Sequence, residues 1–305
     1  VFVPEPELPL QRSLELVDTG AAPRRLLTYN LPETAMAREF AISTENRVRE
    51  YAGGSWSPQI TLPATRYGLA ILPAKTQDRG SQAFSYQIRG LAATIAEPDG
   101  DDPRQAKRIA RMAEQLMARY REQVERRRVT AVVGRRGRVG PVSLSPDLEA
   151  RPEGELTARA IQQLLIESVV PWPDRPVGVG ARWTAITVLY RDAVVVTQRA
   201  EYRLLAIEDS GVRLAATIAQ VGESQQVTGP TMPRSVNAEL VALSWKAEGE
   251  LTVDLTSPTP IAGQLTVDYR VHGRLTDRRG SKEHFLESQG TVTLSSTAVA
   301  DTPAP

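Results

Sequence analysis

No cysteine occurs in the 305 residues. Disulfides, thiol nucleophiles and thiolate metal sites are therefore excluded within this chain. No apolar run reaches the roughly 18 residues that a membrane-spanning helix needs. Lysine is scarce: Lys75, Lys107, Lys246 and Lys282 are all there is, so nearly all positive charge is arginine. Aromatics make up 5%, so the core must be built from Val, Leu, Ile and Ala. Histidine occurs only at His272 and His284, both in strand-like stretches, with no carboxylate or cysteine at zinc-site spacing. No Gly-x-Ser-x-Gly elbow is present, and Gly134 to Gly140 lacks the Lys-Ser/Thr of a phosphate loop. These absences point to a non-enzymatic protein with no catalytic residue, no metal site and no cofactor.

What is present reads mostly as β-structure. Hydrophobic content of 41% can fill a core, and 24% charge argues against global disorder. Strand-like runs over 26–29, 40–43, 60–62, 67–72 and 84–88 are bounded by Pro, Gly or Asn. Gly53-Gly54 marks a turn. Val129 to Val133 and 138–145 form a hairpin around Gly134-Arg135-Arg136-Gly137, with Pro141 suggesting an edge. An antiparallel meander follows over 182–190, 193–207, 212–221, 238–245, 249–255, 263–274, 283–288 and 290–295. Gly249-Glu250-Leu251-Thr252-Val253-Asp254 is echoed by Gly263-Gln264-Leu265-Thr266-Val267-Asp268, as expected of adjacent strands built to one pattern.

Two segments carry helical periodicity instead. Over 103–128, Ile109, Met112, Ala113, Leu116, Tyr120 and Val124 form one stripe, with Asp102 as cap. Over 152–170, Leu156, Ala160, Ile161, Leu164, Leu165 and Val169 form a second apolar face that Pro171 ends. The fold expected is a β-rich α+β domain: a large curved antiparallel sheet, half-barrel-like, packed on two amphipathic helices. It would span 24–298 as a β half 24–97, a helical insert with hairpin 102–170 and a β half 181–298. A Pro-rich arm, 1–23, would precede it, lying along the body or reaching a neighbour, and a flexible tail, 299–305, would follow.

The most functional-looking feature is basic. Between Arg104 and Arg138 stand twelve Arg or Lys against Glu114, Glu122 and Glu125, in a chain whose net charge is +1. Arg104, Arg108, Arg111 and Arg126 lie on or near the face opposite the apolar stripe. They are either a solvated helix face or a patch for an anionic lipid surface or acidic protein. Nucleic acid is disfavoured, because no DNA- or RNA-binding module is visible and aromatics do not interleave with the arginines. Pro171-Trp172-Pro173 leads to Trp183, which anchors the first strand of the second half. A ligand contact is the alternative role of Trp172 and Trp183.

The residues Val170-Pro171, then Pro176-Val177-Gly178-Val179-Gly180-Ala181-Arg182-Trp183, then Tyr202-Arg203-Leu204, resemble uncharacterised secreted and lipoprotein families of bacterial envelopes. The resemblance covers about 156–255. The wider arrangement is similar to the lipoprotein-carrier half-barrel, and what this implies is a fold that holds lipid or acyl chains. A chain beginning at Val1 is expected to be a mature form whose signal peptide has been removed. Its location would be the periplasm, or the outer envelope or exterior, of a bacterium. The function expected is binding of an apolar or lipid-like ligand or of an anionic lipid surface. The alternative is an accessory subunit of an envelope or extracellular assembly, docking on a protein partner through its Pro-rich arm and basic helix.

Overall fold

Apolar residues recur at every second position through most of the second half of the chain. In Val194-Val195-Val196-Thr197-Gln198-Arg199-Ala200-Glu201-Tyr202-Arg203-Leu204 the even-numbered residues are buried, whereas Thr197, Arg199, Glu201 and Arg203 are exposed. Period two puts one set of side chains on each face of a strand. The computed structural model describes residues 12–31, 38–61, 64–74, 81–94, 111, 118, 128–144, 165–191, 194–227, 237–277 and 280–298.

The described residues form fifteen strands. In chain order they are β1 (Arg12–Asp18), β2 (Arg38–Ala52), β3 (Ser55–Trp56), β4 (Ile60–Thr61), β5 (Ala64–Ala74), β6 (Ser81–Thr94), β7 (Arg128–Gly134) and β8 (Val139–Leu144). After the central segment come β9 (Arg182–Arg191), β10 (Val194–Ile207), β11 (Gly211–Gly222), β12 (Gln225–Val227), β13 (Asn237–Asp254), β14 (Ala262–Asp277) and β15 (Gly280–Ala298). They form one antiparallel sheet in the order β1-β9-β10-β11-β13-β14-β15-β2-β5-β6-β7-β8, with β3, β4 and β12 pairing beside this path. The N-terminal half thus continues the C-terminal meander through the long β15–β2 ladder, in which Ile42 lies opposite Leu294 and Arg49 opposite Glu287. The echoed segments sit in β13 and β14, which are neighbours.

The sheet curls so that its two ends share one core. Phe84 and Tyr86 of β6 and Val129, Ala131 and Val133 of β7 join the same buried cluster as Trp183, Tyr202, Leu204, Leu214 and Val253. The edges β1 and β8 are not neighbours in the ladder. Loops hold the roll closed instead. Arg135 O accepts from Tyr29 N at 2.7 Å, Arg136 O from Trp172 N at 3.1 Å, and Leu255 O from Asn30 N at 2.7 Å.

The stretch from Val169 to Trp183 is the plug of this closure. Trp172 and Trp183 are almost wholly buried, with ring centroids 5.9 Å apart. Tyr29 packs on Trp172 and Tyr202 stacks on Trp183. Trp183 Nε1 donates to Pro171 O at 2.9 Å, and Tyr29 Oη donates to Val170 O at 3.1 Å. Prolines suit this plug because a backbone without N–H leaves no donor to satisfy in the core. Two glycines allow the close approach. A Cβ on Gly137, whose φ is +75°, would lie 2.3 Å from Val170 O, and a Cβ on Gly178 would lie 1.7 Å from Ala21 O.

Several expectations are corrected. Residues 26–29 are not a strand but part of a loop tied to 177–179 through paired bonds between Arg25 and Val177. Of the two courses open to the Pro-rich arm, 12–18 lies along the body, as edge strand β1 on β9 with Leu14 and Leu16 against the core, and 1–11 lies outside the described residues. Its Leu-x-Leu alternation is a strand signal that the upstream prolines obscured. The strands expected at 238–245 and 249–255 are one strand, as are those at 283–288 and 290–295, because Gly249 and Gly290 remain in the ladder. The description of the fold as a sheet packed on two amphipathic helices is not supported: the described residues form a large antiparallel sheet with little helix among them. Nearly all of both expected helices lies outside the described residues. Arg111 and Ala118 are helical, and 165–168 forms one turn. That turn packs on the sheet's inner face, where Ile166 meets Leu189, Val194, Val196, Leu240 and Leu243. The tail 299–305 lies outside the described residues.

Candidate functional site

The inner face is not filled everywhere. Toward β14, β15 and β2 the inward residues Ile42, Leu265, Val292 and Leu294 are only half-buried. They wall a cavity of about 490 Å³, together with Ile218, Trp245, Leu251 and Val267. This volume falls in the range of small-molecule sites. Its lining is mainly apolar, as alternation on an inward face dictates.

Polar side chains interrupt the lining in two places: Thr44, Asn46 and Ser288 on β2 and β15, and Glu167 and Ser168, from the helical turn, with Gln198 of β10. Gln198 stands directly opposite Gln220 in the β10–β11 ladder. Gln220 is fully buried, and its amide nitrogen donates to Glu167 Oε1 at 2.9 Å and to Gln198 Oε1 at 2.8 Å. Burying polar groups on an inward face is unfavourable unless they bond, and this chain of bonds is the compensation. Cross-strand pairing supplies the Gln198–Gln220 contact at no cost in loop order.

The outer face has the opposite character. Arg49 pairs with Glu287, Lys246 with Glu248, Arg199 with Glu201, and Arg270 with Asp268, all exposed or half-exposed. A lipid-facing barrel wall needs a continuous apolar band. The outward surface of β2, β10, β13, β14 and β15 is therefore a water-facing one. Among the described residues, no helix is long and apolar enough to cross a membrane.

No family model and no curated protein matches this chain. Among solved structures, one similar chain is an outer membrane channel from Pseudomonas putida F1. It is 9% identical, with a TM-score of 0.20, over 87% of this chain and 97% of that one. A likeness at that score assigns neither fold nor function.

The residues picked out from sequence fall in three places. Trp172 and Trp183 are in the plug, and neither lines the interior cavity. Arg111 is helical and exposed. Arg104, Arg108 and Arg126 lie outside the described residues. His272 and His284 are in strands β14 and β15. His272 bonds Glu283, which also takes Arg274 Nε at 2.7 Å. These contacts, the Arg274 bond first, hold the Glu283 carboxyl below the usual range. Among the described residues, no group of three His, Asp or Glu could hold a metal ion. The cavity residues Glu167 and Gln198, and Gln220 that bonds both, do not stand out in the sequence as site residues. Their signal was parity: both glutamines occupy the buried set of an alternating strand.

Proposed function

We propose that this protein is a non-enzymatic carrier or receptor that binds an apolar or lipid-like molecule inside its curled sheet. The observation that carries the reading is the 490 Å³ cavity, lined mainly by apolar side chains, with polar groups at Glu167, Ser168 and Gln198 and at Thr44, Asn46 and Ser288 of β2 and β15. A site of that size with few convergent polar groups suits a ligand with one long apolar part. A bacterial envelope location accompanies the proposal, as the resemblance of 156–255 implies. The test is uptake of the apolar dye N-phenyl-1-naphthylamine. Its fluorescence should rise on mixing with the protein, and Leu265→Trp, which fills the cavity, should abolish that rise while leaving the circular dichroism spectrum intact. Dye uptake unchanged by Leu265→Trp would remove the cavity from the proposal.

A second reading rests on the basic tract. Docking on an anionic surface through Arg104, Arg108, Arg111 and Arg126 is supported by the local charge excess and by the exposed, helical Arg111. Sedimentation with anionic vesicles, steeply weakened by salt and lost on changing Arg104, Arg108 and Arg111 together to Gln, is the expected result. Absent sedimentation at low salt would rule it out.

A further inference from the structure

We infer that a recess on the outer face of the sheet binds a phosphate monoester between Arg182 and Arg203. The recess is separate from the interior cavity, and its ligand does not depend on what the cavity holds. It measures about 370 Å³ and is lined by residues of β1, β9, β10 and β11. Strand alternation builds it. Thr184, Ala215 and Thr217 are short, whereas Arg182, Arg199, Glu201 and Arg203 around them are long and exposed. Thr184 is only 5% exposed although it stands opposite exposed Glu201, so the longer side chains give the recess depth. Two β-bulges flank it. The β1–β9 register shifts between Leu16 and Asp18, at Val17, which lines the recess. The β10–β11 register shifts between Leu204 and Ala206, just beyond Arg203. Bulges re-aim side chains and are enriched beside functional sites.

Charge supplies the second half of the argument. Arg203 stands directly opposite Arg182 in the β9–β10 ladder, and like charges so placed repel. Among the described residues, Arg199 is held by Glu201 at 2.8 Å and Arg182 has Asp18 only at 3.9 Å, while no carboxylate pairs with Arg203. An anion between the two guanidinium groups relieves their repulsion and gives Arg203 a partner. Shape then selects the anion. One guanidinium fork already saturates the two oxygens of a carboxylate. A phosphate monoester has three terminal oxygens and nearly two negative charges at pH 8, so it engages both forks at once. Thr184 and Thr217 add hydroxyl donors within the same recess.

Titration calorimetry with glycerol 3-phosphate, at pH 8 and constant ionic strength, tests the site. Saturable binding with a Kd below about 5 mM is expected, with acetate at least about tenfold weaker. Arg203→Gln and Arg182→Gln should each weaken glycerol 3-phosphate by about tenfold or more. Both positions are exposed, so the circular dichroism spectrum should not change. Arg270→Gln is the control. That arginine is also exposed but lies on β14 beside Asp268, and its loss should leave binding within about twofold. Vesicles of phosphatidylcholine carrying phosphatidic acid separate the two sources of such a phosphate. Sedimentation unchanged by Arg203→Gln assigns a soluble phosphate, and sedimentation lost with it assigns a lipid headgroup. No saturable binding of glycerol 3-phosphate, acetate bound equally well, or Arg203→Gln binding like wild type overturns the site. The wild-type contrast between glycerol 3-phosphate and acetate needs no variant, so a misfolded Arg203→Gln leaves the test decisive.

Discussion

Trp183→Phe probes the plug on which the rolled sheet closes. The indole is 1% exposed, stacks on Tyr202 at 5.5 Å and donates to Pro171 O at 2.9 Å. Phenylalanine keeps most of the apolar contact but removes the donor. Pro171 O would then be a buried acceptor without that partner, which costs about 1–3 kcal/mol. The lost ring volume adds a cavity term that is only part of the roughly 3–5 kcal/mol of a full Trp→Ala truncation. Together about 2–4 kcal/mol is expected, or about 4–10 °C in Tm for a chain of this size. Urea unfolding followed by far-ultraviolet circular dichroism measures it, with Trp183→Ala as the upper reference. Trp56→Phe is the matched control. Trp56 is 42% exposed on the outer face beneath Arg49, and its loss should cost less than about 1 kcal/mol. A Trp183→Phe midpoint within 0.5 kcal/mol of wild type (about the scatter of a surface change), or equal losses at the two sites, would refute the plug.

Three further outcomes are expected. Gly178→Ala should destabilise by more than about 2 kcal/mol in the same urea assay, because its Cβ would meet Ala21 O at 1.7 Å and separate the 19–25 loop from the plug; a neutral result would contradict the loop's position. Tyr86→Phe should be neutral or stabilising by up to about 1 kcal/mol, since its hydroxyl is buried without a partner among the described residues. Burial first, and then Tyr29, push the Tyr86 phenol above its ordinary value of 10.0, so folded protein holds the proton and wild-type stability falls above about pH 10; a pH titration of Tm should show the variant losing less on that alkaline limb. Glu283 is depressed below its ordinary 4.5 by Arg274 and His272, so its stabilising effect is present above that pH and is lost as pH falls through the lower folded value; Glu283→Gln should lose less Tm than wild type between about pH 5 and pH 3, and parallel acid limbs would refute the contact.

Much of the sheet was legible in the chain itself. Alternating burial along 194–204 and 211–222 follows from period two in the sequence, and the turn at Gly134 to Gly137 follows from its glycines. Strand ends were less legible. Gly249 and Gly290 read as breaks because glycine weakens a strand, yet both are kept where another backbone comes near: a Cβ there would lie 1.9 Å from Gln264 O and 2.0 Å from Glu45 O. Local sequence carries no sign of which backbone will approach.

The sequence by itself determined the class of this protein: β-rich, without cysteine chemistry, with one inward apolar set on each strand and a proline-bounded Trp172–Trp183 segment suited to burial. Tertiary structure alone decided that β15 pairs with β2, that residues 12–18 close one edge, and that the polar positions Glu167, Gln198 and Gln220 meet beside a cavity. The reason is range. Periodicity and turns are set by neighbours a few residues apart, whereas Glu167 and Gln220 are 53 residues apart in the chain and meet only because the sheet rolls.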